Sequence, residues 1–139
     1  ASLTKINLSS SVKFDKYTTD IFSGCTSLEE VTIPTGITYI APGMFSGCEK
    51  LKNIMIEAEE YTIGGSAFSG CVSLKEFNFP KGKLGAYIFS GCTGLEKIDL
   101  TGVTSIGEGC FSYCSNLSEV TLSCDLKTIG KEAFFTYGF

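Results

Sequence analysis

Along this chain a leucine is followed by an apolar residue three positions on and by another two further, and the phrase recurs six times. The sets are Leu3, Ile6, Leu8; Leu28, Val31, Ile33; Leu51, Ile54, Ile56; Leu74, Phe77, Phe79; Leu95, Ile98, Leu100; and Leu117, Val120, Leu122. Within each set the alternation (Val31 apolar, Thr32 polar, Ile33 apolar) has the period of a strand with one buried face. Such a strand returns only once in twenty-odd residues, so it finds no partner inside its own unit. It must pair in parallel with the same segment of the next unit.

The second half of each unit is a return path. Pro34 and Gly36 end the strand, Ile37 and Ile40 point inward, and Phe45 fills the middle. Val103, Ile106 and Phe111 repeat this, as do Leu126, Ile129 and Phe134. A short run of small and polar residues, such as Ala41–Met44 or Gly64–Ala67, predicts one helical turn before each phenylalanine. Phe-Ser-Gly-Cys then turns the corner at Phe22, Phe45, Phe68 and Phe89, and Phe111-Ser112-Tyr113-Cys114 is a degenerate fifth copy. These phenylalanines, with Phe134, are spaced 23, 23, 21, 22 and 23 residues apart. A fixed period of this size means a solenoid, because one unit cannot bury an apolar face alone. The first unit is longer by two residues at Lys13–Thr19, an expected surface bulge. The fourth is shorter by two around Lys81–Ala86, where a tighter return is expected.

The phrase Cys-x-x-Leu-x-x-Val-x-Ile-Pro…Ile-x-x-Ile…Phe-Ser-Gly-Cys resembles the BspA-type leucine-rich repeats, from Leu3 to Phe134. The resemblance implies a mainly β fold with short helical turns. It would be a right-handed leucine-rich-repeat solenoid of about six coils of roughly 21–25 residues, with a parallel β-sheet on one face. It also implies a bacterial or protist surface protein that adheres to extracellular host proteins such as fibronectin or fibrinogen. Residues 1–139 form a single domain on this reading, expected to be a segment of a longer repeat protein.

Composition narrows the picture. Hydrophobic residues at 43% and charged residues at 19% describe an ordered globular chain. The net charge is −4 and all 11 basic residues are lysine, which speaks against nucleic acid, whose phosphates reward basic patches and arginine forks. No apolar run approaches membrane-spanning length, so no membrane insertion of this segment is expected.

Seven cysteines are present. Cys25, Cys48, Cys71, Cys92 and Cys114 hold one repeat position and should form a column along the core, read as small buried thiols at a tight corner. Two other chemistries stay open: a disulfide ladder, which parallel side chains would suit poorly, and one bridge among Cys110, Cys114 and Cys124. With no histidine and no Cys-x-x-Cys pair, no metal or other cofactor is expected. The same lack removes the commonest general base, the serines recur as turn residues, and Glu57, Glu59 and Glu60 read as a solvated loop. The chain is therefore expected to have no catalytic site.

What remains is the outward face of the strands. One column reads Asn7, Thr32, Met55, Asn78, Asp99, Thr121, and the column two residues before it reads Lys5, Glu30, Asn53, Glu76, Lys97, Glu119. Extended faces of this kind are how solenoids bind proteins. Met55, with Asn53 and Asn78 beside it, is the least charged spot and the expected centre of a contact. The alternative is a structural spacer that presents another domain and has no ligand of its own. The aromatic end Phe134–Phe139 would either cap the core or support self-association.

Overall fold

The structure is a computed structural model that describes residues 2–15 and 17–136. It is mostly β, a solenoid of about five turns built from stacked parallel sheets. We number the coils from their leucines: Leu3, Leu28, Leu51, Leu74, Leu95 and Leu117 open coils 1 to 6. Coils 1, 2 and 3 contribute strands β1 (Lys5–Asn7), β2 (Glu30–Ile33) and β4 (Asn53–Ile56), which pair in that order. Coils 5 and 6 contribute β7 (Lys97–Leu100) and β9 (Glu119–Leu122), which pair with each other. The registers set Val31 beside Ile54 and Ile98 beside Val120, so the inward residues stack in columns as the periodicity requires.

Coil 4 departs from the expected continuous sheet. Its segment Lys75–Phe79 is not a strand and has no ladder to either neighbour among the described residues. The physical reason lies in Phe77 and Phe79, rings where every other coil has an aliphatic residue. Phe77 sits edge-on to Phe68 and Phe89 at 5.1 and 4.8 Å, and Phe79 meets Phe89 and Phe111 at 5.2 and 5.7 Å. Two rings reaching that far into a coil shortened by two residues take the space the ladder geometry needs.

The return path holds a second set of ladders that the repeat pattern did not announce. β3 (Tyr39–Ile40) pairs with β5 (Thr62–Ile63), and β6 (Gly82–Leu84), β8 (Val103–Ile106) and β10 (Thr128–Ile129) form another parallel sheet. The short coil 4 return is a strand with a register shift between Gly82 and Lys83. The long coil 1 return carries an exposed turn, in which Asp15 Oδ1 accepts from the Tyr17 amide at 2.8 Å and the Thr18 hydroxyl at 3.0 Å.

The corners hold the third ladder. The expected helical turns are successive tight turns, with no helix among the described residues: the Met44, Ser46 and Cys48 amides donate to Ala41, Gly43 and Phe45 at 3.2, 3.1 and 3.1 Å. Alternate amides reach the next coil, Phe45 to Ala67 at 2.8 Å and Gly47 to Ser69 at 2.7 Å. This register needs left-handed backbone at two places per corner. Gly24, Gly47, Gly70 and Gly91 supply it at φ 72–74°, and Tyr113 takes the same place at 58°. Two residues before each phenylalanine φ is also positive, yet the occupants are Asp20, Gly43, Ser66, Tyr87, Gly109 and Glu132. Left-handed backbone in five non-glycine residues has a cost, which amide bonds to the next coil offset at Asp20, Ser66, Tyr87 and Tyr113.

Inside the corners the rings of Phe22, Phe45, Phe68, Phe89, Phe111 and Phe134 stack at 5.4–5.7 Å, within 17° of parallel. Each coil thus covers the apolar face of the one before it. Phe135 sits edge-on to Tyr113 at 5.7 Å, and Tyr137–Phe139 of the aromatic end lie outside the described residues.

Candidate protein-binding face

Strand alternation turns one side chain in two away from the core, and the parallel register lines those residues up across coils. Lys5, Glu30 and Asn53 stand side by side on β1, β2 and β4, as do Asn7, Thr32 and Met55. On β7 and β9, Lys97 pairs with Glu119 and Asp99 with Thr121. Glu30 and Thr32 are half-buried, while Asn7, Asn53, Met55, Lys97, Asp99, Glu119 and Thr121 are exposed. Glu76 and Asn78 are exposed too, but on the irregular coil 4 segment rather than on a strand.

Two shallow concavities shape this face. One, of 480 Å³, is lined in part by Glu30, Thr32, Asn53, Met55, Glu76 and Asn78; the other, of 510 Å³, by Glu76, Asn78, Lys97, Asp99, Glu119 and Thr121. They share Glu76 and Asn78, so the break in the sheet lies between them. Asn7 lines neither.

Much of the charge here is used locally. Lys5 pairs with Glu30 at 3.3 Å, Lys97 with Glu119 at 3.2 Å, and Lys52 with Glu29 at 2.9 Å, each bridging adjacent coils. The hydrogen bond and charge of Lys52 hold the Glu29 carboxyl below its ordinary value. The Asp99 carboxylate accepts from the hydroxyl and amide of Thr101, which lowers its pKa. Exposed pairs of this kind add little stability, and they leave Met55 as the large apolar side chain of the face, 60% exposed.

The cysteine column is chemically quiet. Cys48, Cys71, Cys92 and Cys114 each donate Sγ–H to the phenylalanine carbonyl of the preceding corner at 3.1–3.2 Å, and all seven cysteines are free thiols. Burial pushes Cys48 and Cys114 up to about 11, Cys71 and Cys110 up to about 12, and Cys92 well above its ordinary value. Such thiols are poor nucleophiles and poor ligands. Among the described residues no cluster of three histidine, cysteine, aspartate or glutamate side chains is placed to hold a metal, and no helix is long and apolar enough to cross a membrane.

Sequence reasoning missed Tyr61. It is buried, burial raises its pKa to about 12, and its hydroxyl donates to the main-chain carbonyl of Asn78. A cleft of 240 Å³ lies there between coils 3 and 4, lined by Ile54, Ile56, Ala58, Glu59, Tyr61, Phe77, Asn78, Phe79, Pro80 and Lys81. The available signal was the pair of phenylalanines in a shortened coil.

Solved structures share this architecture. A Treponema pallidum leucine-rich repeat protein is 25% identical with a TM-score of 0.70, over 94% of this chain and 74% of that one. A leucine-rich cell surface protein from Faecalibacterium prausnitzii A2-165 is 23% identical with a TM-score of 0.75, over 96% of this chain and 45% of that one. A leucine-rich repeat protein from Bacteroides ovatus ATCC 8483 is 21% identical with a TM-score of 0.53, over 91% of this chain and 48% of that one. No curated protein matches the chain. The family model for the BspA-type leucine-rich repeat region matches residues 1–95 and again 44–138, with six copies, and by that match the chain belongs to the BspA-type leucine-rich repeat family.

Proposed function

We propose that the chain is a cell-surface protein-interaction module that adheres to extracellular proteins through its exposed sheet face. The observation that carries this reading is the pair of concavities meeting at Glu76 and Asn78, with exposed Met55 beside them. An apolar side chain in a shallow polar setting is the kind of feature from which interface anchors are made. Family membership supports a protein ligand, and the Faecalibacterium prausnitzii relative is described as a cell surface protein. The groups on the face are paired carboxylates, lysines and amides with no nucleophile–base arrangement, which fits binding rather than catalysis. The aromatic end, where Phe134 and Phe135 are 36% and 41% exposed, is the place for any self-association.

The test is capture of plasma and extracellular-matrix proteins on the immobilised chain, alongside a Met55→Lys, Asn78→Lys variant shown to be folded. A partner held by the wild type and lost by the variant supports the reading. Capture of nothing by either favours a spacer without a ligand of its own.

A further inference from the structure

Four asparagines are present, and two of them open an Asn-Leu-Ser triplet, at Asn7–Ser9 and at Asn116–Ser118. The other two do not: Asn53 is followed by Ile54 and Met55, and Asn78 by Phe79 and Pro80. An asparagine with serine or threonine two positions on, and no proline between, is the acceptor pattern for asparagine-linked sugar. The two triplets share one sequence and differ in how the fold holds them.

The Asn116 triplet is stitched to coil 5. Asn116 Nδ2 donates to the Thr93 carbonyl at 2.7 Å, and the Ser118 amide and hydroxyl both donate to the Glu96 carbonyl, at 2.9 and 3.2 Å. Leu117 between them packs half-buried on the core, with its amide turned back to the Cys114 carbonyl at 3.1 Å. A sugar on Asn116 would grow from the nitrogen that closes a bond between coils, beside a serine whose hydroxyl is already engaged.

The Asn7 triplet is presented instead. Asn7 ends β1, and its side chain is exposed and makes no hydrogen bond among the described residues. Ser9 is exposed and opens a turn in which its carbonyl accepts from the Val12 amide at 3.1 Å. Its hydroxyl meets Ser11 alone, two residues on, at 2.9 Å between the oxygens. The triplet thus runs from strand into turn with its acceptor nitrogen and its hydroxyl both within reach of an enzyme. Asn7 also lines neither concavity of the sheet face, so a group carried there borders that face without filling it.

We propose that Asn7, and not Asn116, carries an asparagine-linked oligosaccharide. The donor is an oligosaccharide on a polyprenyl pyrophosphate. The bond from Asn7 Nδ2 to the sugar C1 forms as the C1–O bond of the donor breaks; the lipid pyrophosphate leaves, and the transferase takes the amide proton. Asn7 then stands at the margin of the binding face rather than within it. The proposal shares with the proposed function only the extracellular setting, on which it rests.

The test uses the whole chain, secreted by a eukaryotic cell that makes such glycans and shown to be folded. Peptide N-glycosidase in heavy-oxygen water returns each occupied asparagine as a labelled aspartate. Peptide mapping should find Asn7 labelled at least tenfold more than Asn116. Ser9→Ala should remove the Asn7 label, and Ser9→Thr, which keeps the hydroxyl, should retain it. The proposal is overturned if Asn7 is unlabelled, if Asn116 is labelled equally, or if the Asn7 label survives Ser9→Ala, which would mark deamidation in place of sugar. An unlabelled Asn7 on a chain that still captures a partner would remove the glycan site and leave the binding face standing.

Discussion

The phenolic hydroxyl of Tyr61 donates to the main-chain carbonyl of Asn78, tying coil 3 to coil 4 where no ladder bond does so on the sheet face. A single side chain thus takes the acceptor that the regular junction of coils 1 and 2 gives to the Leu8 amide. Tyr61→Phe should cost about 1 kcal/mol, the usual net worth of one hydrogen bond. It should also free the Asn78 carbonyl for the Ile56 amide, whose hydrogen exchange should slow. Denaturant unfolding and exchange on one sample check both; an unprotected Ile56 amide in the variant would show that Tyr61 does not hold the junction open.

Phe68 is fully buried between Phe45 and Phe89. Phe68→Ala should therefore cost about 3–5 kcal/mol in equilibrium unfolding. A loss below about 1 kcal/mol would contradict a continuous phenylalanine column as the core of the stack.

Ser66 has φ 57° and its amide donates to the Ala86 carbonyl at 3.1 Å, a bond that glycine would keep. Ser66→Gly should stabilise by about 0.5–1 kcal/mol, the relief of left-handed strain net of glycine's entropy. Gly109→Ala should do the reverse, since its new Cβ would lie 2.2 Å from Cε1 of Tyr87. Thermal midpoints moving in the same direction for both variants would contradict this account.

The buried thiols make the fold alkali-sensitive. Cys71 and Cys110 are pushed up to about 12 by burial, so between pH 9 and 12 the unfolded chain loses protons that the folded chain keeps. Their contribution is whole below pH 9 and falls as pH rises, with a limiting slope of about 1.4 kcal/mol per pH unit for each thiol. Unfolding midpoints under reducing conditions should drop steeply from pH 9 to 11. A flat profile would place these thiols in contact with water.

The repeat made the solenoid, the inward columns and the outward face readable, because each rests on residue types that recur: Leu28, Val31 and Ile33 return at Leu51, Ile54 and Ile56. The coil 4 break was hidden because Phe77 and Phe79 obey the apolar pattern while exceeding its volume, and pattern carries no volume. The positive φ at Asp20, Ser66, Tyr87 and Glu132 was equally hidden. At Asp20, Ser66 and Tyr87 that conformation goes with amide bonds to the next coil, against local preference. The return-path ladders went unseen for a related reason: strands of two or three residues, such as Thr62–Ile63 and Gly82–Leu84, are too short to show alternation, and Val103–Ile106 is buried at its two ends rather than alternately.

The most direct measurement is the affinity of a captured extracellular partner for the wild-type chain, for Met55→Lys, Asn78→Lys, and for a Lys83→Glu control on β6. If the sheet face is the contact, the double variant should bind at least tenfold more weakly, a loss of about 1.4 kcal/mol or more, and the control should bind as the wild type does. Equal affinity for all three, with the double variant folded, would contradict the claim that this face binds protein.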